Sequence, residues 1–407
     1  MSHRELILTR VAHNGDYLQY VTDDLRNDKE VVMTAVSSKG DALRYASEEL
    51  QNDKEVVLSA INNHVHAFKY ASNSLRNQRE VVLAAVNSKG KALRYASKEL
   101  QNDEVIVLAA LKNNVDAFIY ASDSIRMKRK VIIKAVHSNG RALQYASDTF
   151  RNDKEVVTIA VTSKGSSLKF ASDTLKNDKE IVMMAVSACG RALKFASDSL
   201  KNDKDIVMVA VSCFGYSLQY ASQALKNDED VVLAAVASSG ELLQYASNDL
   251  RMTKTFVVKT VQLDGRNLRY ASEDLKNDKD VVLAAVTENG LNLEYASDDV
   301  RCNKEVAMIA VKSEGLALMD VSEDLRNDRE VVMAAVSVDG DALQYASENL
   351  RNDRAVVMAA ANSNGHAFQC TSETLQNDRG TLMVAADACI NDRGTVMVAE
   401  GVYMILV

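Results

Sequence analysis

The chain has 407 residues with no proline and no tryptophan; 47% of its side chains are apolar and 26% charged. That mixture can bury a core, and it excludes a disordered tail. The formal net charge is −8, from 48 basic and 56 acidic residues that read as finely interleaved, a balance that argues against nucleic acid or an anionic membrane as ligand.

The start, Met1-Ser2-His3-Arg4-Glu5, lacks the apolar run of a signal peptide, and no apolar stretch reaches about 18 residues. A soluble, cytoplasmic protein is expected, with secretion as an effector left open. The five cysteines, Cys189, Cys213, Cys302, Cys370 and Cys389, form no CxxC pair and suit a reducing compartment.

Asn27, Asn52, Asn77 and Asn102 recur every 25 residues, and the register runs on to Asn327, Asn352 and Asn377. Counting back places the first repeat at Ser2. Residues 2–376 make fifteen 25-residue repeats without insertion, and 377–407 hold two half-repeats expected to form a C-terminal cap. The shared pattern is N-D-K-E-V-V-x-x-A-V-x-x-x-G-x-A-L-x-Y-A-S-x-x-L-[RK], numbered here as positions 1–25.

In chain order, Asn27 and Glu30 read as a capping box for a helix that starts at Asp28. Val31, Val32, Ala35 and Val36 supply that helix with a helical apolar stripe. Gly40 and its equivalents at position 14 read as left-handed C-terminal caps, with Val65 and Val115 as the exceptions. A second, shorter helix carries Ala42, Leu43, Tyr45 and Ala46. It is expected to end near Ser47, which then caps a brief third turn bearing Leu50. One repeat cannot bury its own apolar faces, but stacked neighbours can, so the fold expected is all-α, an α-solenoid.

N-D-K-E-V-V-x-x-A-V followed by G-x-A-L-x-Y-A-S-x-x-L resembles the tandem-repeat family of domain of unknown function 4116 over residues 2–376. The resemblance implies a helical repeat array and no known activity. The chain departs from the pattern at Met127 to Lys130, at Met252 to Thr255, at Cys302-Asn303, and after residue 376.

No nucleotide-binding, nucleophile-elbow or H-E-x-x-H motif occurs. His64 and His66 lack a third ligand at metal spacing, so neither metal, nor cofactor, nor catalysis is expected. Two ladders remain. The aromatic one, Tyr20, Tyr45, Tyr70 and onward at position 19, suits packing better than base stacking. The basic one, Arg26 and its equivalents at position 25, suits an ion-pair edge with the acids of positions 2 and 4.

Two basic spots five repeats apart stand out as candidate partner-binding residues: Lys128, Arg129, Lys130 and Lys134, echoed by Lys254 and Lys259. The function expected is a non-catalytic scaffold for protein partners, with positions 15, 18 and 22 carrying specificity. A modular single-stranded nucleic-acid binder and an architectural spacer or filament subunit are the alternatives. The apolar end at 402–407 also permits a contact between copies.

Overall fold

The computed structural model describes residues 3–364 together with Ala367, Gln369 and Thr371. The expected cap at 377–407 and the expected self-contact at 402–407 lie outside the described residues. Every regular element among those described is a helix. The chain divides into two compact units, Met1–Ala210 and Val211–Val407, called here the N-terminal and C-terminal stacks.

Each repeat contributes three elements. In the second repeat they are an α-helix at Lys29–Ser38, a 3-10 helix at Gly40–Tyr45 and a short α-helix at Glu48–Gln51. Val31, Val32, Ala35 and Val36 are fully buried, as are Ala42 and Leu43. Burial of each valine- or leucine-sized side chain stabilises by about 1.5–3 kcal/mol. Long helices pack on the long helices of the next repeat and 3-10 helices on its 3-10 helices, with the apolar core between them.

The long helix starts one residue later than its sequence pattern suggests. Asp28 is the N-cap, and its carboxylate accepts hydrogen bonds from the amides of Glu30 and Val31. Asn27 instead ends the preceding short helix. The acid three residues after the Asn is therefore free of cap duty and available to the neighbouring repeat.

Ser47 behaves as its position predicts, since its Oγ accepts from the Leu50 amide at 3.2 Å. It also ties successive short helices together. The Ser47 amide donates to the Arg26 carbonyl at 3.0 Å, and in later repeats the same serine hydroxyl donates to the position-1 asparagine, as in Ser97 to Asn77 at 2.7 Å and Ser347 to Asn327 at 2.6 Å. Where Met127 replaces that asparagine, the buried Ser147 Oγ has no hydrogen-bond partner.

The position-14 glycines are not left-handed caps. Among the described residues only Gly240 has positive φ, at 72°. The others open the 3-10 helix, where in most a Cβ would run into the neighbouring backbone: at Gly315 it would lie 2.6 Å from the Ala335 carbonyl oxygen, whereas at Gly265 it would meet the Asn292 and Glu288 side chains. Glycine is required because the next repeat's long helix comes too close for any side chain. Where Val65 and Val115 stand instead, the flanking long helices and 3-10 helices pack less extensively. Phe68 and Phe118 then occupy position 17 in place of leucine, and both are completely buried. Asn63 and Asn113 reach back one repeat and accept from the amides of Gly40 and Gly90 at 2.8 and 2.9 Å.

Candidate binding surface

Most cations at position 3 are paired across the repeat boundary. Lys304 reaches Asp328 at 2.8 Å and Glu330 at 2.7 Å in the next repeat; Lys29 reaches Asp53 and Glu55 in the same way. The Asp328 carboxyl is held below the usual aspartate range, first by its hydrogen bond to Lys304 and then, against burial, by the amides it caps. These pairs are the partners of the acids at positions 2 and 4.

Cations at position 25 have a different occupation. The Arg26 guanidinium donates to the Gln19 carbonyl at 2.6 Å and Arg151 to that of Gln144 at 2.8 Å, closing the end of their own 3-10 helix. Their carboxylate partner is the acid at position 22, as in Lys176 to Asp173 at 3.1 Å. The ion-pair edge exists, but its acids are not those of positions 2 and 4. Gln51 can replace a base there because its amide reaches the Ala46 carbonyl at 3.0 Å.

The two basic spots fall in different stacks, and most of their members are engaged within the fold. Arg129 pairs with Asp153 and Glu155, and Lys254 with Asp278 and Asp280, both as ordinary position-3 cations. Lys134 lies 3.4 Å from Glu104, and Lys259 lies 3.4 Å from Glu229. Glu104 and Glu229 occupy position 3, where other repeats carry a base, and each faces a neighbour that lacks acids at positions 2 and 4: Lys128 and Lys130 in one place, Thr253 and Thr255 in the other. Both spots thus coincide with junctions whose charges are reversed. Comparing position 3 with the following repeat, rather than reading each repeat alone, would have revealed this.

The aromatic ladder is half-buried, apart from Tyr20, which is exposed. The side chain before several rings lies over them: Arg44 is 4.4 Å from the Tyr45 centroid, Lys69 is 4.6 Å from that of Tyr70, and Lys169 is 5.6 Å from that of Phe170. These cation–π contacts cover ring faces that a stacked base would need. The Tyr145 hydroxyl donates to Asp116 at 2.9 Å, and burial foremost, then that bond, raise its pKa to about 12.

Positions 13, 15 and 18 project from either end of the 3-10 helix and are mostly exposed. In the N-terminal stack they carry Lys39, Arg44, Lys69, Lys89, Lys91, Arg94, Arg141, Lys164, Lys169, Arg191 and Lys194, against only Asp16, Asp41 and Asp116. Lys39 and Arg44 reach Asp16. Among the described residues Lys89, Lys91, Arg141 and Lys164 form no ion pair, unlike most cations of position 3.

In the C-terminal stack the same positions carry Glu241, Asp264, Glu294, Glu314, Asp339 and Asp341, against Arg266 and Arg269. The charges of the chain are therefore not evenly interleaved. Residues 1–210 hold 31 basic and 26 acidic side chains; residues 211–407 hold 17 and 30. The net charge of −8 hides a mildly basic half and a strongly acidic half, a contrast that counting by halves exposes.

Ten stretches of the chain, from 3–51 through to 330–376, match the family described as domain of unknown function (DUF4116). The chain belongs to the DUF4116 family. Six of the matches, among them 3–51, 78–126 and 253–301, span two of the 25-residue repeats. Two DUF4116 matches, 128–176 and 253–301, begin immediately after Met127 and Met252, so the charge-reversed junctions fall between matched pairs. No curated protein matches the chain.

Within the DUF4116 array, three His, Cys, Asp or Glu side chains are nowhere grouped to hold a metal among the described residues. No helix among those residues is long and apolar enough to cross a membrane. Cys189, Cys213 and Cys302 are free thiols; Cys370 and Cys389 lie outside the described residues.

Proposed function

We propose that this DUF4116 protein is a non-catalytic scaffold that binds protein partners along the strip formed by positions 13, 15 and 18. The observation that carries the reading is the contrast in cation pairing. Most bases at position 3 and several at position 25 are occupied by carboxylates or carbonyls of the fold, whereas among the described residues Lys89, Lys91, Arg141 and Lys164 have no ion-pair partner and face solvent. The repeat holds its core, caps and ladders constant while these exposed positions vary, which is how one architecture acquires selectivity.

Capture from an extract of the native source tests it. The wild-type chain is expected to retain specific proteins, and Lys89→Glu, Lys91→Glu and Arg94→Glu together are expected to lose them with circular dichroism and thermal unfolding unchanged. Retention of the same proteins by the triple variant would remove the strip from the account. Tight binding of a single-stranded oligonucleotide, weakening steeply with salt, would replace the protein scaffold by a nucleic-acid reader.

A further inference from the structure

We infer that the strip binds a second copy of this chain: the basic strip of the N-terminal stack in one copy docks on the acidic strip of the C-terminal stack in another. This rests on reading positions 13, 15 and 18 as a binding surface, and it names one partner for it.

Three observations converge. First, the two strips occupy the same positions of the same 25-residue repeat and have opposite sign, with eleven bases against three acids in one and six acids against two bases in the other. Second, much of the charge of each strip is unpaired among the described residues. Lys89, Lys91, Arg141 and Lys164 have no carboxylate within ion-pair distance, and neither Glu294, Glu314, Asp339 nor Asp341 has a cation there among the described residues. Third, the spacing matches by construction. Both strips advance one repeat at a time, so acids of one copy recur at the interval of the bases of another over several repeats, a match that an unrelated acidic chain would have to acquire independently.

The apolar side chains of the strips fit the same arrangement. Ile119 is 53% exposed on the basic strip, and Leu291 and Met319 are 37% and 47% exposed on the acidic one. Charge complementarity would set register and approach, and these side chains would lose water on contact.

Sedimentation velocity on the purified full chain tests the inference. Exposed charges are screened over about 10 Å at 0.1 M salt but only about 3 Å at 1 M. The wild type is expected to self-associate in low salt, and the association to weaken at least about tenfold on going to about 1 M.

Charge reversal supplies the decisive arm. A chain with Lys69→Glu, Lys89→Glu, Lys91→Glu and Arg94→Glu has its basic strip cut to seven bases against seven acids and is expected to remain monomeric. A chain with Glu294→Lys, Glu314→Lys and Asp341→Lys has two basic strips and is expected to do the same. Mixed, the two variants are expected to associate. All seven side chains lie on the surface strip rather than in the core, and thermal unfolding of each variant checks the fold.

A wild type that stays monomeric at low salt overturns the inference, as does association unchanged in either variant alone, or no association on mixing when the wild type associates. A monomeric wild type that captures extract proteins through the strip sinks the self-contact alone and leaves the scaffold reading standing. If reversal of the strip alters neither self-association nor capture, both readings fall together.

Discussion

The junction between repeats 13 and 14 and that between repeats 5 and 6 are built from the same pattern and held differently. At the first, Gly315 admits the Ala335 carbonyl, Leu318 fills the core, and Lys304 bridges to Asp328 and Glu330. At the second, Val115 holds the long helices apart, Phe118 fills the added space, and Glu104 meets Lys134. At repeats 5 and 6 the wider gap, the larger core residue and the reversed charge coincide, but Val65 and Phe68 occur with the ordinary base Lys54, and the reversed Glu229 occurs with Gly240 and Leu243, so core filling and charge order are matched separately at each junction. The repeats are therefore less interchangeable than their shared pattern suggests, because each junction is a set of matched choices.

Truncation of the residue that fills the wider gap should have the largest effect. Phe118→Ala is expected to cost about 3–5 kcal/mol, measured by urea denaturation, with hydrogen exchange rising in repeats 5 and 6 before distant ones. A change confined to a fraction of a kcal/mol would mean that the ring does not support that junction.

Importing the wide geometry into the close junction comes next. Gly315→Val alone should cost about 2–3 kcal/mol, because the obstacle is a backbone carbonyl that cannot rotate away. Leu318→Phe alone should also destabilise. Together they are expected to cost less than the sum of the two, since valine opens the space that phenylalanine fills. Strict additivity in a double-mutant cycle would break the proposed link between positions 14 and 17.

Acid separates the junctions by about 1–2 kcal/mol, the usual worth of an N-cap. The Asp328 carboxyl titrates below its unfolded value, first because of Lys304. Its contribution is therefore present above about pH 4 and is lost as pH falls through the folded pKa. Local exchange near Val331 should speed up on acidification, and Asp328→Ala should abolish most of that response. Around Val131, where Lys128 occupies the cap position without a side-chain hydrogen bond, the same acid step should be smaller.

The smallest effect belongs to the reversed pair. Lys134→Ala and Glu104→Ala should each change stability by no more than about 1 kcal/mol, as expected of an exposed ion pair. Lys128 and Lys130 stand on the same neighbour, so Glu104→Ala should be the more harmful of the two. Equal effects would show that Glu104 answers to Lys134 alone.

Much of this was legible in the sequence wherever the cause is local. The 25-residue period, the buried valines of positions 5 and 6, and the serine that caps a short third helix all follow from residues within a few places of one another. The cap itself was misplaced by one residue, because Asn and Asp are both good N-caps and the pattern does not say which side chain faces the amides. The glycine was misread for a different reason: the atom that excludes a Cβ at Gly315 belongs to Ala335, twenty residues ahead. The ion pairs likewise join residues a repeat apart, so each repeat read alone left Lys134 and Lys259 without a purpose. The division of charge between halves was concealed by a single net figure for the whole chain.

Glu104 carries one more implication, for how the array assembles. In a chain of near-copies any long helix could dock on the wrong neighbour during folding, and most such errors would satisfy the core equally well. Glu104 facing the usual Asp and Glu of another repeat would meet like charge, whereas Lys128, Lys130 and Lys134 answer it only at its true neighbour. The reversed junction acts as a key with one lock, marking a place where the order of the repeats cannot be shuffled without penalty.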